Sequence, residues 1–238
     1  MQKNKKIKKG ILIAAGRGTR LAPLTNSISK HLFPIYDKPM IYYSLSLLLL
    51  AKIKDISIVT TSRDLQLYKT LLGDGSKFGI KIKYIIQDEA KGIAHALLLN
   101  LKFINEDPVC VVLGDNIIYG NTLGGILSNM TKDINKASIF GYYVKNPNKF
   151  GIIKLDKNKK PISIEEKPIK PKSNWAVPGI YFYDSTLSTK LNTIKPSKRN
   201  ELEITDINSL YLKENKLNVH LLGRGYAWLD MGSYDAID

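Results

Sequence analysis

Gly16 and Gly18, followed by Thr19 and Arg20, come directly after the apolar run Ile11-Leu12-Ile13-Ala14-Ala15. Glycines let a backbone turn tightly and bring its N–H groups against a ligand. Arg20 adds a fixed cation whose planar fork of donors suits phosphate oxygens. The implied chemistry is a polyphosphate cradle at the end of a buried strand. Neither standard glycine loop fits it. The dinucleotide pattern needs a third glycine where Leu21 stands, and the P-loop needs Lys-Ser/Thr after its last glycine, where this chain has Thr19-Arg20. A glycine loop can also be a purely conformational turn, so both readings stand at this point. Lys30 could return to the same phosphate site or be an ordinary surface lysine. Asp115, in Gly114-Asp115-Asn116, is either a turn residue or a metal ligand.

The elements that must position these residues follow from periodicity. An apolar strand leads into the glycine loop, and 40–53 reads as a helix with Pro39 at its favoured opening position. Further strands are expected at 56–60, 80–87 and 109–113, with helices at 64–72, closed by Gly73, and at 91–104, opened by Gly92. The run 109–113 is wholly apolar, which suits a central parallel strand. Strands alternating with helices predict a doubly wound sheet, whose ligands sit beyond the carboxyl ends of the strands. Asp115 follows the central strand directly and falls at such an end. From 137 on the pattern changes: 137–144, 151–155, 161–166 and 175–183 read as strands of an antiparallel extension. A helix at 204–214, capped by Thr205 or an earlier residue, and a strand at 217–222 complete the chain.

Composition narrows the classes. The 238 residues are 44% hydrophobic, enough for a core. The single cysteine, Cys110, excludes an intramolecular disulfide framework and reads as a buried, inert thiol. No stretch is long and apolar enough to span a bilayer, and nothing resembles a signal peptide, so a cytoplasmic protein without membrane partners is expected. The net charge of +15 comes mostly from lysines, scattered except for five in the first nine residues. No stripe of basic and aromatic residues and no nucleic-acid module is present, so no nucleic-acid partner is expected.

Taken together, the segments resemble the bacterial sugar nucleotidylyltransferases. The matching runs are Gly16-Arg17-Gly18-Thr19-Arg20-Leu21, Ser29-Lys30, Pro34 to Tyr43, Leu71 to Ser76, Leu113 to Ile117, Glu165-Glu166-Lys167-Pro168, Glu201 to Asn208 and Gly223 to Asp230. The resemblance implies an α/β fold, a Rossmann-like doubly wound mixed sheet of the nucleotide-diphospho-sugar transferase type with an antiparallel second half. It implies a single domain over 1–238, with a nucleotide-binding half (9–115) and a sugar-phosphate-binding half (116–238).

The resemblance also implies a reaction: dTTP and glucose 1-phosphate give dTDP-glucose and pyrophosphate, with Mg²⁺ as cofactor. Ala14, Gly16, Gly18, Thr19 and Arg20 would hold the triphosphate, Gln87 and Gly92 would meet the base, and Asp115 and Asp230 would hold the metal. Gly151, Glu166, Lys167, Val177, Tyr181 and Arg199 would bind the sugar phosphate. Arg20, Lys30 and Lys167 would carry catalysis by charge, and His31, His95 and His220 would be structural or exposed. The chain departs from the family pattern at Ala15, Phe150, 88–91 and Pro178. It also ends eight residues after Asp230, where the family continues with helices that resemble an oligomer interface. A homo-oligomer is therefore an expectation of the family pattern rather than of these residues.

Overall fold

The apolar run before the glycine loop forms β1 (Lys9–Ile13), and the other apolar runs of the first half gather around it. A computed structural model describes residues 5–132 and 134–232. After β1 come a small hairpin, β2 (Pro34–Ile35) and β3 (Lys38–Pro39), and helix α1 (Ile41–Leu50). Pro39 pairs with Pro34 in the hairpin, so the helix starts two residues later than its proline suggested. Then follow β4 (Asp55–Thr60), α2 (Leu65–Leu72), β5 (Lys81–Ile86), α3 (Ile93–Leu99), α4 (Leu101–Ile104) and β6 (Val109–Leu113).

The helix expected over 91–104 is thus two helices, broken at Asn100. The buried amide of Asn100 donates to Ala96 O at 2.8 Å and its Oδ1 accepts from the Ser57 hydroxyl. A side chain that bonds nearby backbone competes with the helix ladder, and here it also ties the break to β4.

The second half adds β7 (Asn116–Gly120), α5 (Leu123–Met130), β8 (Ala137–Tyr143), β9 (Gly151–Leu155), β10 (Pro161–Glu166), β11 (Trp175–Ala176) and β12 (Ile180–Tyr183). The last elements are α6 (Leu187–Leu191), α7 (Ile204–Lys213), β13 (Leu217–Leu222) and β14 (Tyr226–Asp230). One sheet runs through both halves in the order β10-β9-β11-β8-β12-β6-β1-β4-β5, with β13 on the other edge of β8. β6, β1, β4 and β5 are parallel, and β12 joins β6 antiparallel. The expected antiparallel extension is present, except that β13 pairs with β8 in parallel.

Both faces of the sheet are covered at its centre, which explains why β1 and β6 are almost wholly apolar, whereas the edge strand β5 keeps Lys81 and Lys83 exposed. Leu45, Leu48, Tyr68, Leu72 and Leu127 from α1, α2 and α5 pack on one face. Leu97, Leu187, Ile207 and Tyr211 from α3, α6 and α7 pack on the other.

The run 175–183, which reads as one strand, is broken at Val177-Pro178-Gly179. Pro178 has no N–H to give a ladder. β11 and β12 share one edge of β8, but their other edge passes from β9 to β6 across the break. Val177 N–H donates to Gly151 O at 2.9 Å, and Leu113 N–H donates to Gly179 O at 2.8 Å. The sheet therefore opens between the carboxyl end of β6 and the amino end of β9. β7 and β14 form a separate two-stranded ribbon beside this opening.

Candidate active site

Two loops leave the sheet side by side at its centre. Ala14 N–H donates to Val59 O and Gly114 N–H to Ile13 O, each at 2.8 Å. In the first loop Gly18 has φ +62°, and a Cβ there would lie 2.8 Å from Thr25 Cγ2. Both its conformation and its packing require glycine. Arg20 follows within a single 3-10 turn (Thr19–Leu21), exposed and without an ion-pair partner among the described residues. Its guanidinium lies near β14: a Cβ on Gly232 would be 2.8 Å from Arg20 Nη2 and 3.4 Å from Asp230 Oδ1.

The second loop carries Asp115. Its Oδ1 accepts from Asn116 Nδ2 at 3.0 Å, and its Oδ2 pairs with the buried Lys30 ammonium. β14 lies antiparallel to β7 with Asp230 opposite Asn116, and Met231 N–H donates to Asp115 O at 3.0 Å. The ribbon thus brings two carboxylates from distant stretches of sequence to one place. Burial works to raise the pKa of Asp115, but Lys30 and the other polar neighbours outweigh it and hold the carboxyl well below the usual range. Asp230 goes the other way: burial first, then the charge of Asp115, raise it. Such a split marks two like charges sharing one site, and a cation between them relieves it. Among the described residues no cluster of three or more His, Cys, Asp or Glu side chains could hold a metal ion. A pair of carboxylates suits a hard cation that completes its shell with phosphates and water.

The opening in the sheet forms a cavity of about 160 Å³ lined by Arg20, Asp115, Gly151, Glu166, Lys167, Val177, Tyr181 and Asp230, among others. Glu166 ends β10, and its Oε2 accepts from the Thr205 hydroxyl at the start of α7. Thr205 or an earlier residue was expected as the helix cap; the earlier residue, Glu203, takes that position, and Thr205 serves the carboxylate. Lys167 has φ +41°, an uncommon conformation for a non-glycine residue that costs on the order of 1 kcal/mol or more. Consecutive strand residues face opposite ways, so this turn at the end of β10 is what lets both Glu166 and Lys167 line one cavity. A Cβ on Gly151 would lie 3.3 Å from both Glu166 Oε2 and Thr205 Oγ1.

Other expected residues lie elsewhere. Gly16 and Thr19 line a neighbouring concavity of about 560 Å³ together with Asp64 and Asp88. Gln87 follows β5, and its Nε2 is already engaged, donating to Gly92 O at 3.1 Å and lying 3.0 Å from His95 Nδ1. Gly92 has φ +94°, and a Cβ there would lie 2.4 Å from Leu202 O, so backbone packing alone accounts for this glycine. Arg199 does not line the cavity; its guanidinium lies 3.0 Å from Glu201 and 3.6 Å from both Glu166 and Glu203. Cys110 is fully buried and its thiol is pushed up by burial, which leaves it inert.

Three residues without an assigned role in the sequence organise the site. Asn116 Oδ1 accepts from Gly179 N–H at 2.8 Å and from Trp228 Nε1 at 2.7 Å, while its Nδ2 holds Asp115. One side chain therefore joins the metal-type carboxylate, the strand break and β14. The Ser44 hydroxyl lies 2.9 Å from Gly114 O and 3.1 Å from Asn116 O, anchoring the loop to α1. A serine inside the apolar run 40–53 was the signal for this, because a buried hydroxyl needs a partner. Trp228 packs on Phe150 with ring centroids 5.0 Å apart and walls the cavity.

Known proteins resemble this chain over nearly its whole length. Residues 9–237 match the family model described as nucleotidyl transferase. The chain is 49% identical to a glucose-1-phosphate thymidylyltransferase of Neisseria meningitidis, over 96% of this chain and 80% of that protein. It is 46% identical to the enzyme of the same name from Mycolicibacterium smegmatis, over 96% and 79%. Among solved structures, a putative glucose-1-phosphate thymidylyltransferase from Bacillus anthracis in complex with sucrose superposes with a TM-score of 0.87 at 39% identity, covering 96% of this chain and 92% of that one. A UDP-glucose pyrophosphorylase complexed with UDP-glucose superposes with a TM-score of 0.82 at 27% identity, covering 97% and 95%.

Proposed function

Because the chain belongs to the nucleotidyl transferase family, with glucose-1-phosphate thymidylyltransferases at 41% to 49% identity among its relatives, we propose that it makes dTDP-glucose and pyrophosphate from dTTP and glucose 1-phosphate. The observation that supports this most is the convergence of Arg20, Asp115, Glu166, Lys167 and Asp230 on one cavity at the break in the sheet. The set offers cations for two phosphate groups, two carboxylates for a metal, and one carboxylate for sugar hydroxyls.

The glycine loop and Arg20 bind the triphosphate of dTTP, while Glu166 accepts hydrogen bonds from the sugar. Lys167 holds the phosphate of glucose 1-phosphate, one oxygen of which attacks the α-phosphorus of dTTP. The bond from that phosphorus to the β-phosphate bridging oxygen breaks, and pyrophosphate leaves with the electron pair. No general base is needed, because a phosphate monoester has its second pKa at about 6. Lys30 keeps Asp115 ionised and oriented. Asp115 and Asp230 would hold Mg²⁺, which would supply charge neutralisation to the phosphates. Catalysis then rests on alignment and electrostatics. In this reading residues 9–115 serve the nucleotide and residues 116–238 the sugar phosphate.

The structural likeness to a UDP-glucose pyrophosphorylase gives a second reading, with UTP as nucleotide. Steady-state turnover with dTTP and UTP in parallel separates the two. A kcat/KM at least about tenfold higher with dTTP, equivalent to about 1.4 kcal/mol, is expected. A preference for UTP would overturn the thymidylyl assignment.

A further inference from the structure

A lysine basin occupies the end of the sheet opposite the candidate active site. Lys9, Asp55 and Lys81 are the first residues of β1, β4 and β5, and around these amino ends lies a concavity of about 1030 Å³. Four of its lysines, Lys5, Lys6, Lys8 and Lys9, come from the amino-terminal segment. The fold adds Lys52 and Lys54 from the α1–β4 connection and Lys81 from β5. Lysine is about one residue in eight of the chain but seven of the twelve that line this basin. A uniformly lysine-biased surface does not give that density.

The amino-terminal lysines are held in place. Ile7 is buried between them and its N–H donates to Thr131 O at 2.9 Å, and Lys5 forms an antiparallel bridge with Ile134. Asp107 engages Lys5 at 3.1 Å and Lys9 at 2.9 Å. Lys6, Lys8, Lys52, Lys54 and Lys81 are exposed and have no ion-pair partner among the described residues. Asp55 and Asp107 are the only acidic residues of the lining. The ammonium groups repel one another, and a multiply charged anion would relieve that repulsion.

The lining also says which anion. It has no aromatic side chain on which a base could stack and no arginine fork. Flexible point charges around a concavity recognise charge density rather than a planar or stacked group. We propose that this basin is a second anion site, separate from the candidate active site, that binds a linear phosphate chain such as inorganic tripolyphosphate.

The test is calorimetric titration of the chain with tripolyphosphate at low salt, comparing wild type with the variant Lys6→Gln/Lys8→Gln/Lys54→Gln/Lys81→Gln. Wild type should bind at two sites, one at the glycine loop and one at the basin. The variant should keep the first and bind at the second at least about tenfold more weakly, because several charge contacts are lost. The basin affinity should also fall steeply with added KCl. Circular dichroism checks the fold, and Lys54→Gln/Lys81→Gln serves as a milder variant with a smaller loss in the same direction. Identical isotherms for wild type and variant would overturn the proposal. So would equal affinity for sulfate at matched ionic strength, or lysine-dependent binding of a DNA oligonucleotide in preference to tripolyphosphate.

Discussion

His31 shows how much one buried side chain beside the phosphate loop does. Its Nδ1 lies 2.9 Å from Ser29 Oγ, which in turn lies 3.0 Å from the Tyr68 hydroxyl. Burial first, then the charge of Lys30, lower its pKa to about 3. The folded chain therefore refuses a proton that the unfolded chain accepts near pH 6.5. Stability is at its full value above that pH and is lost as pH falls from 6.5 toward 3. At about 1.4 kcal/mol per pH unit, acidification from pH 6.5 to 5 removes about 2 kcal/mol through this residue. Chemical denaturation of wild type and His31→Gln at pH 7 and pH 5 measures it: the variant should lose about 2 kcal/mol less between the two pH values. Equal losses would show that His31 titrates normally. Sequence alone presented His31 only as one of three histidines without a catalytic partner. Its burial depends on Gly114 and Tyr68, which are distant in sequence.

At the scale of elements, β1 and β6 were legible because burial on both faces leaves their residue types almost no freedom, and the edge strand β5 because exposed Lys81 and Lys83 alternate with apolar residues. β6 and β9 fall where their sequences place them. The break at Asn100 was not legible, because it is set by Ser57 from another element, whereas Pro178 signalled the break at Val177-Pro178-Gly179 and only its geometry, set by Gly151, Leu113 and Asn116, was out of reach. The ribbon β7–β14 went unrecognised for the same reason as the break at Asn100, although the resemblance had singled out Asp230 at its end and Asp115 just before it.

Two substitutions probe these tertiary constraints. Asn116→Ala removes the acceptor for Gly179 N–H and Trp228 Nε1 and the donor to Asp115. A loss of about 2–4 kcal/mol in unfolding free energy is expected, from buried groups left unpaired, together with at least tenfold lower kcat. Thermal unfolding and turnover should both move, and wild-type kcat in a destabilised variant would show that Asn116 only supports the fold. Gly92→Ala drives a Cβ against Leu202 O and should destabilise the chain by more than about 3 kcal/mol. Gly79→Ala, at φ +68° with open space around it, should cost only about 1–2 kcal/mol. Denaturant midpoints of the two variants give the comparison, and equal costs would contradict the packing argument.

For the whole molecule, the sheet does two jobs at its two ends. Its carboxyl ends open into the cavity where a strand passes from β9 to β6, and its amino ends carry the lysine basin. No helix among the described residues is long and apolar enough to cross a membrane. In the proposed reaction one cavity joins a nucleotide triphosphate to a sugar phosphate, with Asp115 and Asp230 holding a metal. The most direct measurement is pyrophosphate release from dTTP and glucose 1-phosphate, with Mg²⁺ and then with EDTA, for wild type and for a folded Asp115→Asn variant. Release that requires both substrates, stops with EDTA and falls at least about 100-fold in the variant is the predicted result. Release that persists in EDTA, or at wild-type rate in Asp115→Asn, would contradict the account.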